Sequence, residues 1–202
     1  MTTLEGPSSP QTRMLLASEG STTTLLQALV GERLELRLDE LSDSTVGEAY
    51  EAARRALGVE KETPVLVRRS ALVTASGVEI SRNVVVAQGP FTGVVGHVLT
   101  STEPIGRVMN GSRAGHRRIL LESGWSTWGD APCAFKSYLI VEDDQPTIYV
   151  FERFNPRFIP TEGYPVVRQR SPNDALVRPP KQPGKDRPPA GTKWTVRKAK
   201  WR

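Results

Sequence analysis

Glu152 stands inside a run of residues that otherwise favours burial. The stretch QPTIYVFERFNP, residues 145–156, is rich in the β-branched and aromatic side chains that are typical of a packed strand. Because side chains alternate between the two faces of a strand, Glu152 shares a face with Ile148, Val150 and Phe154. An unpaired carboxylate on an apolar face is costly. Either neighbouring groups or a ligand must compensate its charge.

Two arginines are embedded in strand-like runs in the same way. Arg69 is in phase with four apolar residues of its own run, and Arg82 is in phase with Val84 and Val86. Taken singly, each of these charges is explained by pairing on a sheet surface or at a strand end. Together with Glu152, two guanidinium groups around an apolar cavity would suit a small acidic ligand, because arginine forks onto carboxylates.

Other kinds of catalytic site have little support in the sequence. There is no P-loop, no dinucleotide-binding glycine motif, no zinc-protease motif and no nucleophile elbow. His97 and His116 are the only histidines, and the single cysteine, Cys133, excludes an internal disulfide framework and a Cys-rich metal site. We therefore expect neither a metal site nor a Ser-His-Asp triad.

Charge is distributed unevenly along the 202 residues. The chain carries +5 overall, whereas Ser171–Arg202 contains nine Lys or Arg and two Asp, a net of +7, so residues 1–170 carry −2. Trp194 and Trp201 within this basic segment could stack on nucleic acid bases. Runs of charged residues usually do no more than keep a segment exposed to solvent, so no nucleic-acid partner is expected.

Residues 1–12 and 169–202 are predicted to lie outside the folded domain. Both segments are polar and contain proline, and the second is also basic, which is typical of disordered segments. Residues 13–168 are then one domain, flanked by a disordered N terminus and a flexible tail. No segment approaches the ~20 apolar residues that span a bilayer, and the N terminus lacks the features of a secretory signal. We expect a soluble, cytoplasmic protein.

Hydrophobic periodicity predicts an α+β fold, with an antiparallel sheet and a few helices packed on it. One helix is predicted between a cap at Ser21 and an end at Gly31, and another between Ser44 and Gly58. A third, short helix is predicted to begin at Pro104. Strands are predicted over 33–39, 64–73, 82–88, 117–122, 135–142 and 147–154, with turns at Ala75–Gly77 and Asp143–Asp144.

The order of several short motifs resembles a known enzyme family. The motifs are ASEGSTTTLLQAL, the hairpin LVRRSALVTASG to SRNVVVA, EPIGRVM, STWG and QPTIYVFERF. In this order they resemble the chorismate–pyruvate lyases, which form 4-hydroxybenzoate, and the related UTRA-like ligand-binding domains of some bacterial transcription regulators. The resemblance runs from about Arg13 to about Pro160.

The resemblance implies roles for particular residues. Glu152 matches the active-site glutamate of the lyases. The implied substrate-binding residues are Arg69 (or Arg68, if the register is shifted by one), Arg82, the backbone N–H of Ile105, and Thr22, which stands where a lyase has an apolar methionine.

The implied reaction converts chorismate to 4-hydroxybenzoate and pyruvate. Aromatisation drives it, so neither a metal nor a redox cofactor is needed, and the expected partner is a small acidic or aromatic-precursor substrate. Two alternatives stay open, namely an enzyme of the same fold acting on another molecule in natural-product biosynthesis, and a non-catalytic small-ligand-binding module. A regulator is disfavoured, because only twelve residues precede the core.

A chain that ends before Ser171 is expected to fold as the full chain does. The removed segment has almost no apolar content before Trp194 and so has little to bury against the domain. Far-ultraviolet circular dichroism and thermal unfolding of the two chains check this. A melting temperature clearly lowered by the truncation would show that the tail packs on the domain.

Overall fold

Six antiparallel strands form one sheet, and three helices accompany it in the described part of the chain. The computed structural model describes residues 9–47, 50–89, 96, 99, 101, 103–105, 108 and 116–161. Its elements are α1 (Pro10–Ala17), α2 (Thr22–Val30), β1 (Glu35–Thr45), α3 (Glu51–Leu57), β2 (Pro64–Val73), β3 (Glu79–Gln88), β4 (His116–Trp128), β5 (Ala131–Glu142) and β6 (Gln145–Phe154). The predicted α+β class with an antiparallel sheet is confirmed. No helix among these residues is long and apolar enough to cross a membrane.

The sheet has the strand order β1-β2-β3-β6-β5-β4, so β3 and β6 lie at its centre. All six predicted strands are present, and β2 has the predicted bounds of 64–73. The turn between β5 and β6 places Asp143 and Asp144 at φ 50° and 62°. A two-residue hairpin loop of this kind needs two left-handed residues, and aspartate tolerates that conformation better than most. The predicted turn at Asp143–Asp144 is thus confirmed.

The helices match the sequence less closely than the strands do. Helix α2 has the predicted caps, since the Ser21 side chain accepts a hydrogen bond from the Thr24 N–H and Gly31 has φ 76°. The start predicted for the next helix at Ser44 is wrong. Ser44 belongs to β1, and α3 begins only at Glu51. Backbone pairing of β1 with β2 overrides the local helical pattern there.

Two further segments bear on the predicted boundaries. Helix α1 begins at Pro10, capped by the Ser9 side chain, and so takes in the last residues of the segment 1–12 that was predicted to be disordered. Beyond Pro104, Ile105 and Val108 have helical backbone, and the Val108 N–H donates to the Pro104 carbonyl at 3.2 Å. Residues 1–8 and the predicted tail, 169–202, lie outside the described residues.

The sheet buries side chains on both faces. On one face, here called the α3 face, α3 packs over apolar side chains of β2, β3, β5 and β6 that include Val67, Val86 and Phe151. The other face, here called the α1–α2 face, is covered by α1 and α2 at one end and by Leu99, Ile105 and Val108 at the other. Glu152, Ile148, Val150 and Phe154 share the α1–α2 face, as the alternation along β6 predicts.

One line of polar side chains runs across the α1–α2 face. The strand register places Ser70 opposite Asn83, Asn83 opposite Glu152, and Glu152 opposite Lys136. All four residues are buried, with exposures of 3%, 6%, 6% and 1%. We call these four residues the polar row. Buried polar groups must find hydrogen-bond partners, so the partners of this row decide what the face can do.

Candidate ligand-binding pocket

A small pocket lies between the polar row and the N-terminal end of α2. Its cavity volume is about 20 Å³, which is enough for one water molecule. The lining residues that keep some exposed surface are Leu36, Ile105 and Arg118. The complete lining is Thr22, Thr23, Leu36, Ser70, Leu72, Asn83, Pro104, Ile105, Arg118, Tyr138, Val150 and Glu152.

Buried polar atoms without a partner converge on this pocket. Glu152 Oε1 accepts a hydrogen bond from the Tyr138 hydroxyl at 3.3 Å. Its other oxygen, Oε2, has no hydrogen-bond partner among the described residues, and the same holds for Asn83 Oδ1, Thr22 Oγ1 and Arg118 Nε. All four of these residues line the pocket. Two of the atoms are acceptors, one is a donor, and the hydroxyl can act as either.

Lys136 is a buried cation next to the pocket, opposite Glu152 in the strand register. Its Nζ donates to the backbone carbonyls of Leu15 and Ser18, at 3.1 and 3.0 Å. These carbonyls lie at the C-terminal end of α1, where helix carbonyls lack intrahelical partners and a positive charge is favourable. Burial lowers the pKa of Lys136, and the charge of Glu152 partly opposes this shift. The lysine therefore ties α1 and the start of the α1–α2 connection to the sheet.

Tyr138 and Arg118 form the remaining polar wall. Burial, followed by the charge of Glu152, raises the pKa of Tyr138 well above 10, so its hydroxyl stays protonated and donates. Arg118 comes from the edge strand β4, and its guanidinium carbon lies 5.8 Å from the centroid of the Tyr138 ring. Its Nη1 donates to the Glu19 carbonyl at 3.5 Å, the limit for a hydrogen bond.

The structure brings together only some of the residues named from the sequence. Glu152, Thr22 and Ile105 line the pocket. Arg69 points to the α3 face, where its Nε lies 3.1 Å from Glu40 Oε2 and its Nη2 donates to the Tyr50 hydroxyl at 3.0 Å. The substrate-binding roles of these residues stay predictions.

The other two named arginines also lie away from the pocket lining. Arg82 is partly exposed, forms an ion pair with Glu79 at 2.6 Å, and stacks on Trp128 with 4.3 Å between its guanidinium carbon and the ring centroid. Arg68 is fully buried and lies on the same face as Glu152. Its Nη2 donates to the Ser101 and Glu103 carbonyls at 2.9 and 3.4 Å. Arg68 thus holds the segment that contributes Pro104 and Ile105 to the pocket.

Asn83, Arg118, Lys136 and Tyr138 were missed by the sequence reasoning. The stretch AFKSYLIV places Lys136 in phase with Ala134, Tyr138 and Ile140, which is the pattern that drew attention to Glu152. Applied to β5, the same test would have found Lys136 and Tyr138. Asn83 and Arg118 lie in runs without such a contrast, and only the strand register brings them to the site.

A second, wider concavity lies beside α2 and opens broadly to solvent. It is lined by Thr24, Gln27, Ala28, Gly31, Glu32 and Arg33. None of the buried polar atoms that lack a partner in the described part of the chain lies on it. The pocket at Glu152 is therefore the candidate site.

Comparisons with known proteins yielded structural likenesses only. No protein-family model and no curated protein matches the chain. The effector domain of PhnF from Mycobacterium smegmatis matches with a TM-score of 0.49 and 16% identity, over 69% of this chain and 91% of that one. The C-terminal domain of the histidine utilization repressor from Pseudomonas syringae pv. tomato matches with a TM-score of 0.47 and 12% identity, over 65% and 98%. A GntR-family transcriptional regulator from Bacillus cereus matches with a TM-score of 0.41 and 14% identity, over 61% and 92%.

Replacing Lys136 by methionine is expected to lower the free energy of unfolding by roughly 2–4 kcal/mol, because two carbonyls lose a charged donor and Glu152 loses a nearby cation. Urea unfolding measures the change. Adding Glu152→Gln to this variant should restore part of the loss. Arg33→Met also replaces a cation by methionine, but at an exposed position, and as the control it should leave stability unchanged. A Lys136→Met protein as stable as the wild type would contradict the role assigned to the lysine.

The raised pKa of Tyr138 predicts a loss of stability in alkali. An unfolded tyrosine releases its proton near pH 10, whereas the buried Tyr138 retains it. Above about pH 10 the folded state therefore binds more protons than the unfolded state. The free energy of unfolding keeps the full contribution of Tyr138 below that pH and falls as the pH rises above it. In Tyr138→Phe, stability should fall less steeply between about pH 10 and pH 12 in urea titrations. Equal slopes for the two proteins would refute this.

Proposed function

We propose that this chain binds a small polar molecule in the pocket around Glu152. The observation that carries the proposal is the convergence of four buried, unpaired polar atoms on one cavity. Leaving a buried polar group without a partner costs about 1–3 kcal/mol, and more for a charged group. Native structures keep few such groups. A bound molecule that supplies the missing partners accounts for all four at once.

A purely structural role for Glu152 is a weaker explanation. Tyr138 accounts for Oε1, and the charges of Lys136 and Glu152 attract each other. Neither feature gives Oε2 a hydrogen bond in the described part of the chain. One buried water would fit the cavity and could make some of the missing bonds. Water is therefore the competing occupant that an experiment must exclude.

A lyase of the chorismate–pyruvate type is the second candidate. One observation favours it, because a buried carboxyl group beside a hydroxyl donor is an arrangement that suits general acid–base chemistry. The arginines that the resemblance assigns to the substrate carboxylates, Arg69 and Arg82, are engaged with Glu40 and Glu79 instead. The cavity is also far smaller than chorismate. For these reasons we rank binding above this reaction.

Thermal unfolding of the full chain with a panel of small polar compounds tests the proposal. The panel contains amino acids, hydroxy acids, sugars, sugar phosphates and chorismate. A compound present at 100 times its Kd adds about 2.7 kcal/mol of stability. At least one compound should raise the melting temperature of the wild type, and Glu152→Gln should weaken its binding at least tenfold.

Glu142→Gln, at the end of β5 and outside the pocket, is the control and should bind the compound as the wild type does. If no compound stabilises the wild type while Glu152→Gln melts at a higher temperature, the carboxylate is an uncompensated charge beside a water. The binding proposal then fails. The chorismate sample is assayed for 4-hydroxybenzoate and pyruvate, and products that disappear with Glu152→Gln would instead support the lyase.

A further inference from the structure

We infer that the molecule bound in this pocket is a small zwitterion, of which an amino acid is the simplest kind. This inference rests on the proposed function and specifies its ligand. Three features of the pocket lead to it: a pair of acceptors at one side, a set of donors at the other, and charges of both signs, which neither a simple cation nor a simple anion can pair with together.

The acceptor side is formed by Glu152 and Asn83. They face each other across the β3–β6 ladder, with Glu152 Oε2 and Asn83 Oδ1 both unpaired among the described residues. Directly opposed side chains of an antiparallel pair have Cβ atoms about 4.5–5.5 Å apart. One ammonium group, with three donors, can reach two acceptors at that spacing. Because one acceptor is a carboxylate, a charged donor binds there more strongly than a neutral one.

The donor side is formed by Arg118 and the start of α2. Thr22 and Thr23 are the first two residues of this nine-residue helix, and both line the pocket. The first N–H groups of a helix have no intrahelical partner and carry a partial positive charge. The unpaired Thr22 Oγ1 and Arg118 Nε add two further donors at the same place. Together these groups suit a carboxylate.

A ligand with a single charge would leave one side of the pocket unpaired. Glu152 is one anion, while Lys136 and Arg118 are two cations whose charges both act on the Tyr138–Glu152 pair. A ligand with only a positive charge would add a third cation. One with only a negative charge would leave Glu152 Oε2 unpaired and would approach another anion. A zwitterion pairs with both sides and leaves the net charge of the pocket unchanged.

The volume limits the ligand to a few heavy atoms. A cavity of about 20 Å³ must enlarge to admit anything bigger than water. Leu36 and Ile105 are the wall residues best placed to move, because both are apolar and keep some exposed surface. A shift of these side chains would widen the pocket and leave the acceptor side and the donor side in place.

Isothermal titration of the full chain with glycine, β-alanine and γ-aminobutyrate tests the inference. Methylammonium and acetate, at the same ionic strength, carry the two charges separately. The best of the three zwitterions should bind at least tenfold more tightly than either single-charge probe, and its chain length reports the spacing between the two sides. Acetate or methylammonium binding as tightly as every zwitterion would overturn the inference.

Variants test which side of the pocket binds the ammonium end of the ligand and which side binds its carboxylate. Glu152→Gln should weaken the best zwitterion at least tenfold without weakening acetate, and Arg118→Gln should weaken both at least tenfold. Arg117→Gln is the matched control, because Arg117 is the exposed neighbour on β4, paired with Asp144 at 3.4 Å, and should change neither. If Glu152→Gln does not fold, the Arg118 variant still decides, and unchanged zwitterion binding in it would overturn the inference.

The outcomes also separate this inference from the proposed function. If none of the zwitterions binds but another compound of the wider panel binds in a Glu152-dependent way, the ligand class is wrong and the binding function stands. If nothing in either set binds, both are wrong.

Discussion

The pocket depends on the hydrogen bonds between Lys136 and the carbonyls of Leu15 and Ser18. In the described part of the chain, they are the contacts by which a charged side chain joins β5 to the end of α1. The connection between α1 and α2 begins at Ser18 and leads within four residues to Thr22, which closes the pocket over Glu152. The position of that wall is therefore set by a side chain that rises from β5, beneath it.

The same hydrogen bonds explain why Glu152 does not form an ion pair with Lys136, its neighbour across the ladder. Lys136 and Glu152 face each other across the β5–β6 ladder, where an ion pair would be the expected arrangement. Among the described residues no ion pair joins them, because the ammonium group is directed to α1. The charges of the two residues still attract each other, while the hydrogen-bonding capacity of Oε2 stays available. Glu152 therefore has a cation nearby that does not occupy its second oxygen.

Most of the fold could be predicted from the sequence, because strands, turns and helix ends follow local rules. Gly31 and Gly58 end their helices in the left-handed conformation, and β2 runs over the predicted residues. The structure departs from the local pattern where distant groups decide. Strand pairing with β2 keeps Ser44 in β1, and α1 is fixed by Lys136 and by a hydrogen bond from Thr12 Oγ1 to the Pro160 carbonyl. None of these partners is near in sequence.

The site could be predicted only in part, for a reason that lies in β2. This strand is buried on both faces, so Arg68 and Arg69 are each in phase with apolar residues. Periodicity shows that a charge is embedded, but it cannot say which face carries the pocket. The covering segments decide this, since Arg68 meets the carbonyls of Ser101 and Glu103, and Arg69 meets Glu40. Those encounters depend on tertiary structure.

The buried charges of the α1–α2 face differ in how readily a protein can satisfy them. A cation needs acceptors, and each backbone carbonyl offers two lone pairs, one of which is often free where a segment crosses a sheet. Arg68 and Lys136 both find such carbonyls. A carboxylate needs donors, and each residue has one backbone N–H, which strand pairing already uses. Glu152 obtains one side-chain donor, Tyr138, and its second oxygen needs a hydrogen-bond donor from outside the sheet. The anion, rather than either cation, is therefore where a ligand gains most from binding.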